Sequence, residues 1–158
     1  MTAYWLLKSE PESYSIDDLQ REGVASWDGV RNYAARNHLM SMKLGDLGFF
    51  YHSSADPPGV VGICEVVREA YPDHTQFDPE SKYFDAKASP DRPRWFMPDV
   101  RFVGKFERLV PLSEIRRTPG LEDMQLVRFG RLSVQSVTEQ EWEIVCDLVF
   151  RMERSDSL

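Results

Sequence analysis

Short apolar runs at intervals along the chain predict β-strands. Residues 3–7, Ala-Tyr-Trp-Leu-Leu, are almost continuously apolar and the run is too short for a helix, which favours a buried strand. Enrichment in aromatic and β-branched residues predicts strands over 47–52 and 60–69, joined as a hairpin with a long connection. Alternation of apolar and polar residues predicts a strand with one polar side over 95–106 and a short strand over 132–137.

Helix signals separate these strands. Ser15, with Asp18 three positions later, is an acidic variant of the capping box, and Gly23 stands where a helix over 16–22 should end. Residues 31–42 place apolar side chains near helical spacing without an internal Gly or Pro, so they predict a second helix.

The strongest helical pattern lies near the carboxyl end of the chain. Thr138–Glu141 is a full capping box, and the apolar residues that follow it recur at helical spacing. A short helix is also predicted to begin at Ser113. Residues 71–93 are rich in proline and aspartate but retain aromatic residues, which indicates a packed loop long enough to act as a lid.

Together these elements predict one α+β domain over residues 1–152, followed by a tail over 153–158. The many short strands favour a small β-barrel with helices around it. The longest apolar runs fall far short of the roughly 20 residues that span a membrane, and no basic segment precedes an apolar one at the start. We therefore expect a cytoplasmic protein without a membrane partner.

Charge and cysteine content limit which partners, metals and cofactors the chain is expected to bind. A net charge of -7 counts against nucleic acid as a partner, because phosphate binding depends on cationic surface. Residues 101–131, however, hold seven basic and four acidic side chains, which fits either a local basic face or ordinary variation. Cys64 and Cys146 lack metal-ligand spacing, so we expect two thiols and neither a metal nor a cofactor.

The sequence offers only weak evidence for catalytic residues. Glu10 and Glu12 flank a proline and could face one side, but solvated loop acids explain them more simply. His52, Ser53 and Asp56 suggest a hydrolase, yet no Gly-x-Ser-x-Gly elbow surrounds the serine. An enzyme is therefore the weaker hypothesis.

A binding site for a base fits the residues better. Four aromatic residues near predicted strand ends are interspersed with small hydrogen-bonding residues: Trp27, Tyr51, Tyr83 and Trp95 with Ser9, Asn32, Asn37 and Ser53. An aromatic face supplies stacking worth about 1 to 3 kcal/mol per nucleobase, and the polar groups can read the base edge. Each aromatic residue, taken singly, is also a common core residue.

Seven segments, taken together and in order, resemble the EVE domain. They are YWLLKSEPESYSIDDL, WDGVRNYAARNHL, GDLGFFYHS, GVVGICEVV, DPESKYFDAKAS, PRWFMPDVRFV and RLSVQSVTEQEW. The resemblance implies a PUA-like fold and a relation to the YTH domain, which reads methyladenine in RNA. It also implies a non-catalytic reader of a modified base, chiefly modified cytosine, with DNA as a partner more than RNA.

The resemblance further implies the site residues. Trp27 would stack on the base, Ser9 and Asn32 would hydrogen-bond its edge, and the rest would complete the walls. The full predicted pocket comprises Lys8, Ser9, Glu10, Trp27, Asn32, Tyr51, His52, Ser53, Tyr83 and Trp95. The predicted phosphate contacts are Arg31, Arg36 and Arg131.

Two alternatives to a reader stay open at this point. One is an enzyme that acts on a nucleotide or a modified base, with Glu10 or His52 as acid or base. The other is a protein-interaction module, since a reader that stands alone needs an effector partner. Nothing in the sequence dictates an oligomeric state.

Overall fold

The computed structural model describes the backbone of residues 1–156 and the side chains of residues 1–149. Its strands are β1 (Tyr4–Ser9), β2 (Val24–Ser26), β3 (Leu47–His52), β4 (Gly59–Pro72), β5 (Phe96–Pro111) and β6 (Val134–Val137). Its helices are α1 (Ile16–Glu22), α2 (Tyr33–Ser41), α3 (Leu112–Arg117), α4 (Gln125–Arg128) and α5 (Glu139–Asp156), with a short 3-10 helix at His74–Phe77.

The strands form one mixed six-stranded sheet in the order β2-β5-β4-β3-β1-β6. β1 is parallel to β3 and antiparallel to β6, and the β3-β4-β5 portion is antiparallel. The predicted α+β class is confirmed. The predicted closure into a barrel is not, because the strand order ends at β2 on one side and β6 on the other and the two are not paired.

Burial on both faces of the sheet explains why its central strands are continuously apolar. Successive residues of a strand point to opposite faces. Leu6 and Phe49 belong to the cluster that packs against α5, whereas Leu7 and Phe50 belong to the cluster that packs against α1 and α2. All four side chains are 1% exposed or less. Layers of helices on both faces are what such strands require.

The two predicted capping boxes, at the starts of α1 and α5, are confirmed. The Ser15 side chain accepts from Asp18 N, and the Asp18 carboxylate accepts from Ser15 N. Thr138 and Glu141 make the same reciprocal pair at the start of α5. Each pair satisfies two backbone donors that a helix start leaves without partners, which fixes where α1 and α5 begin.

Several boundaries differ from the sequence-based predictions. The second helix begins at Tyr33 and not at residue 31, since Asn32 serves as its N-cap. β2 and α4 were not predicted, and β5 continues past residue 106 to Pro111. α5 continues to Asp156, so it overlaps the predicted tail over 153–158, whose last two residues lie outside the described residues.

The cysteines and acidic residues of the described segment form no metal site. Cys64 is buried and Cys146 is half-buried, and both are free thiols. Within residues whose side chains are described, no group of three His, Cys, Asp or Glu side chains is placed to hold a metal ion. No helix in the described part of the chain combines the length and the apolar content needed to cross a bilayer.

Candidate functional site

A cavity of about 890 Å³ opens where β1 ends. This volume lies within the roughly 300 to 1,000 Å³ of typical small-ligand pockets. Four separate parts of the chain supply most of its lining: the end of β1, the segment from β2 to α2, the loop before β5 and the loop before β6. The site therefore exists only in the folded chain.

The turn after β1 is ordered by its own hydrogen bonds. The Glu10 carbonyl accepts from Ser13 N at 2.9 Å and from Tyr14 N at 2.8 Å. Ser9 Oγ donates to the Tyr14 carbonyl, and Ser53 N donates to the Ser9 carbonyl at 3.0 Å. The Lys-Ser-Glu-Pro-Glu-Ser stretch thus curls back on itself, joins the end of β3 and brings the Tyr14 ring to the cavity.

Trp27 is shared between the core and the cavity. Its ring meets Phe50 edge-on, with centroids 5.4 Å apart and an interplanar angle of 88°, and Tyr14 edge-on at 6.5 Å. Trp27 N donates to the Pro98 carbonyl at 2.9 Å, which ties the segment after β2 to β5. Only 8% of Trp27 is exposed. The indole is therefore held rigidly, with a small part of its surface available to a ligand.

Tyr83 forms a second wall of the cavity and rests directly on a glycine. Gly29 has φ +80°, and a Cβ atom placed there would lie 2.7 Å from the Tyr83 ring. Positive φ is unfavourable for side chains with a Cβ, and the contact leaves no room for one. Gly29 is therefore required both for the turn after Trp27 and for the approach of Tyr83.

A buried carboxylate holds these two walls together. Asp73 Oδ2 accepts from Gly29 N at 2.8 Å and from Arg31 Nη1 at 3.2 Å, while its Oδ1 accepts from Thr75 N at 2.8 Å. Arg31 Nε and Nη2 also donate to the Tyr83 carbonyl, at 3.0 and 2.8 Å. Burial by itself would raise the pKa of Asp73, but the hydrogen bonds from Thr75 and Gly29 outweigh it and hold the pKa below its usual value.

A second set of contacts fastens the same loop to α2. Trp95 Nε1 donates to Asp85 Oδ2 at 2.8 Å, a bond that lowers the pKa of Asp85. The Trp95 ring stacks on Tyr33 at 4.9 Å. Arg36 Nη1 donates to the Arg94 carbonyl at 2.9 Å, and its guanidinium lies 4.7 Å from the Tyr33 ring centroid. These residues stand behind the loop that carries Tyr83.

Burial changes the pKa values of two side chains that line the cavity, Lys8 and Tyr14. Burial lowers the pKa of Lys8, whose Nζ donates to the Gly130 carbonyl at 2.6 Å. Burial also raises the pKa of the Tyr14 hydroxyl, and its hydrogen bond to Glu22 raises it further, so Tyr14 stays neutral. The cavity thus holds a lysine and a tyrosine that are already bound to the protein.

Asp28 is a carboxylate in the cavity lining with a raised pKa and no hydrogen bond from another described side chain. The residue is exposed overall, but protein packed around the carboxyl group raises its pKa, and the charge of Asp73 raises it further. His74 and Arg31 act in the opposite direction. Among the described residues, no side chain of another residue donates a hydrogen bond to the Asp28 carboxylate. It is an acceptor open to a ligand.

The structure brings together part of the predicted site. Six of the ten predicted pocket residues line the cavity: Lys8, Ser9, Glu10, Trp27, Ser53 and Tyr83. Arg31 and Arg131 line it as well, whereas Arg36 does not. Arg131 is exposed.

Four predicted pocket residues do not line the cavity. Asn32 caps α2 by accepting from Ala35 N at 2.9 Å. Tyr51 is buried in the cluster on the opposite face of the sheet. His52 Nε2 accepts from Ile16 N at 3.1 Å at the start of α1, and Trp95 stacks behind the loop.

Sequence reasoning missed three lining residues of functional interest, Tyr14, Asp28 and Lys82. Two of them are chain neighbours of predicted residues: Asp28 follows Trp27, and Lys82 precedes Tyr83. That adjacency was the available signal. Tyr14 had none, because its place depends on the hydrogen bonds of the turn after β1.

The fold and the cavity define a class: a small α+β domain with a helix-covered mixed sheet and a ligand-sized site walled by aromatic residues. The EVE domain model matches residues 3–148, and the chain belongs to the EVE domain family. It is 45% identical to thymocyte nuclear protein 1 of Mus musculus, over 94% of this chain and 74% of that protein.

Two solved structures extend this comparison. Human THYN1 protein in complex with 5-methylcytosine containing DNA has a TM-score of 0.89 and 42% identity, covering 94% of this chain and 98% of that one. The Mmi1 YTH domain in complex with RNA has a TM-score of 0.55 at 9% identity, covering 97% and 82%, and shares the fold alone. The predicted resemblance to the EVE domain is confirmed, and the predicted relation to the YTH domain is confirmed for the fold.

The predicted cytoplasmic location is contradicted by the same comparison. The vertebrate relatives, at 43% to 46% identity, are named nuclear proteins. The absence of a membrane segment or a signal carried the prediction, but such an absence does not distinguish the two compartments.

Proposed function

We propose that this protein is a non-catalytic reader that binds a modified nucleobase, with modified cytosine in DNA as the first candidate. The observation that carries the proposal is the cavity itself, with Trp27 and Tyr83 in its walls and the carboxylate of Asp28, which accepts from no other described side chain, in its lining. The complex of human THYN1 with 5-methylcytosine containing DNA supports the choice of ligand class.

In this proposal Trp27 and Tyr83 supply stacking surface. Base-aromatic stacking contributes about 1 to 3 kcal/mol per base, and rings that are already fixed lose little conformational entropy on binding. Trp27 is fixed by Phe50 and Tyr14, and Tyr83 by Gly29 and the Arg31 network. Rigid walls favour a flat ligand of one size.

Asp28 would read the edge of the base. An ionised carboxylate accepts a hydrogen bond from the exocyclic amine of cytosine. Asp28 has no competing donor from another side chain, unlike Asp73, which is saturated. It would therefore favour bases that carry an amino group and disfavour those that present only a carbonyl at that position.

The modification itself would contribute modestly. One added methyl group in a fitted pocket changes binding by about 1 to 3 kcal/mol, roughly 10- to 200-fold. Extracting a paired base costs a few kcal/mol. We therefore expect a base in a single strand, or one already extruded, to bind more tightly than the same base within an intact duplex.

The contacts of the candidate acids and bases support the non-catalytic assignment. His52 is occupied by a backbone donor of α1 and does not line the cavity. Glu10 lines the cavity, but its hydrogen bond is a long one of 3.4 Å from Ser54 Oγ, and Ser54 does not line the cavity. Turnover of a modified nucleoside by the purified protein would overturn this assignment.

The test is a titration by fluorescence anisotropy of labelled single-stranded oligonucleotides that differ only in one central base: cytosine, 5-methylcytosine, 5-hydroxymethylcytosine, adenine or N6-methyladenine. Trp27→Leu is compared with Trp142→Leu, since each tryptophan is 8% exposed but only Trp27 lines the cavity. We expect preference for one modified base, lost in Trp27→Leu and kept in Trp142→Leu. Equal binding of all bases, or equal losses in both variants, would refute the proposal.

A further inference from the structure

A short loop at the rim of the cavity presents an exposed aromatic side chain beside a cation. Phe129 is 52% exposed. Three residues that follow it, Gly130, Arg131 and Ser133, line the cavity. Burying a phenylalanine side chain gains about 1.5 to 3 kcal/mol, so a partner that covered Phe129 would gain binding free energy of this size.

The backbone of this loop is firmly held although the side chain is not. The Phe129 carbonyl accepts from Gln135 Nε2 at 3.2 Å and from Leu132 N at 3.1 Å. Lys8 reaches the loop twice, from Nζ to the Gly130 carbonyl at 2.6 Å and from N to the Ser133 carbonyl at 2.9 Å. Gln135 is fully buried. The loop is thus fastened to β1 and β6, and Phe129 projects from a rigid base.

We propose that the loop Phe129–Arg131 contacts duplex DNA, with Phe129 entering the base stack where the bound base has left it and Arg131 contacting a neighbouring phosphate. The proposal rests on the proposed function, since it requires a base extruded into the cavity. Proteins that distort duplexes insert apolar side chains such as Phe or Leu between base steps. Filling the vacated position offsets part of the cost of extrusion.

Duplex DNA fits this loop better than a single strand or a protein surface. A single strand has no gap to fill, and its bases can enter the cavity without a wedge. Arg131 is a cation beside the wedge, with no hydrogen bond or ion pair to another described residue, as a phosphate contact requires. The two functions, apolar insertion and phosphate binding, lie two residues apart on one anchored loop.

A second exposed phenylalanine provides a matched control on the other wall. Phe84 is 43% exposed and follows Tyr83, so it also stands near the cavity. The next residue, Asp85, is a carboxylate that accepts from Trp95 and would repel a phosphate. The nearby cation, Lys82, is already engaged, since its Nζ lies over the Tyr83 ring at 5.0 Å from the centroid, whereas Arg131 makes no such contact with a ring of the described residues. The proposal therefore assigns the wedge to Phe129 and not to Phe84.

The experiment measures the affinity of the full chain for one 5-methylcytosine containing sequence as a single strand and as a duplex. Phe129→Ala should weaken duplex binding roughly 5- to 150-fold, the range for losing one stacking partner, and change single-strand binding less than about twofold. Phe129→Leu, which keeps an apolar wedge, should restore most of the duplex affinity. Phe84→Ala should leave the ratio of the two affinities unchanged.

Arg131→Ala gives an independent readout. On the duplex it should lower the slope of log K against log salt concentration by about 1, as expected for one lost phosphate contact. Equal losses on both forms of DNA in Phe129→Ala, no loss on the duplex, or a larger loss in Phe84→Ala would overturn the proposal. Single-strand binding by the wild type reports on the cavity alone, so its absence would instead refute the proposed function and this inference with it.

Discussion

Replacing Asp73 by asparagine should destabilise the protein, because this buried carboxylate joins the two walls of the cavity. The side chain is 1% exposed. Its Oδ1 accepts from Thr75 N at 2.8 Å and Thr75 Oγ1 at 2.5 Å, and its Oδ2 from Gly29 N at 2.8 Å and Arg31 Nη1 at 3.2 Å. An asparagine of the same shape keeps one acceptor oxygen and turns an NH₂ group toward the other pair of donors.

The structure sets the size of the effect. Each buried donor left without an acceptor costs about 1 to 3 kcal/mol, so two lost donors cost about 2 to 6 kcal/mol. Removing one member of a buried ion pair costs about 3 to 5 kcal/mol. The Arg31 side chain is 22% exposed and retains some hydration, which favours the low end. We expect a loss near 3 kcal/mol in the free energy of unfolding.

The assay is urea unfolding followed by fluorescence, with Asp91→Asn as the control, since Asp91 is an exposed aspartate in the same loop. The midpoint should fall while the slope m stays constant, because the native and unfolded states keep their surface areas. A loss below about 1 kcal/mol, or one equal to that of Asp91→Asn, would show that the carboxylate does not hold the walls.

The pH dependence of this difference has a definite sign. The native pKa of Asp73 is below the ordinary value of 3.8, so the unfolded chain binds its proton first as pH falls. The stability from the carboxylate is therefore fully present above that ordinary value and is lost as pH falls through the native pKa. The gap between wild type and Asp73→Asn should shrink in that acidic range; a gap that widened there would contradict the assigned charge state.

Two further predictions concern the cavity directly. Gly29→Ala should lower both stability and ligand affinity, because a Cβ 2.7 Å from the Tyr83 ring at φ +80° forces the ring or the turn to move; unchanged thermal unfolding and binding would refute the contact. Burial raises the pKa of Asp28, and its ionised form is the hydrogen-bond acceptor. As pH is lowered, affinity for an amino-bearing base should therefore begin to fall at a higher pH than it would with an ordinary aspartate. Asp28→Asn should bind more weakly at neutral pH and lose this pH dependence, and a wild-type profile parallel to that of the variant would contradict the role.

The sequence predicted the central strands because their burial leaves a direct signal. Neighbours such as Leu6 and Leu7 face opposite layers of helices, so the run is continuously apolar and its length alone indicates a strand. Capping residues such as Ser15 and Thr138 were equally informative, since their role is local. β2 gave no such signal: its three residues are extended because β5 pairs with them, a contact distant in sequence.

The site was only partly predictable for a related reason. The strand pattern predicts that Tyr51 and His52 point to opposite faces of the sheet, but it does not indicate which face borders the cavity. Tyr51 lies in the core cluster that packs against α5, and His52 Nε2 accepts a hydrogen bond from Ile16 N in the first turn of α1. Asn32 precedes a predicted helix, where N-capping is the common role of asparagine, and the structure has it there.

Two of the predicted residues that lie outside the cavity, Trp95 and Arg36, nevertheless support one of its walls. Trp95 donates a hydrogen bond to Asp85 and stacks on Tyr33, and Arg36 donates to the Arg94 carbonyl. Both residues therefore fasten the loop that carries Tyr83. Substituting either residue should weaken binding through the loop and should lower stability as well. A loss of binding at Trp95 would therefore not identify a ligand contact, whereas a loss at Asp28 with stability unchanged would.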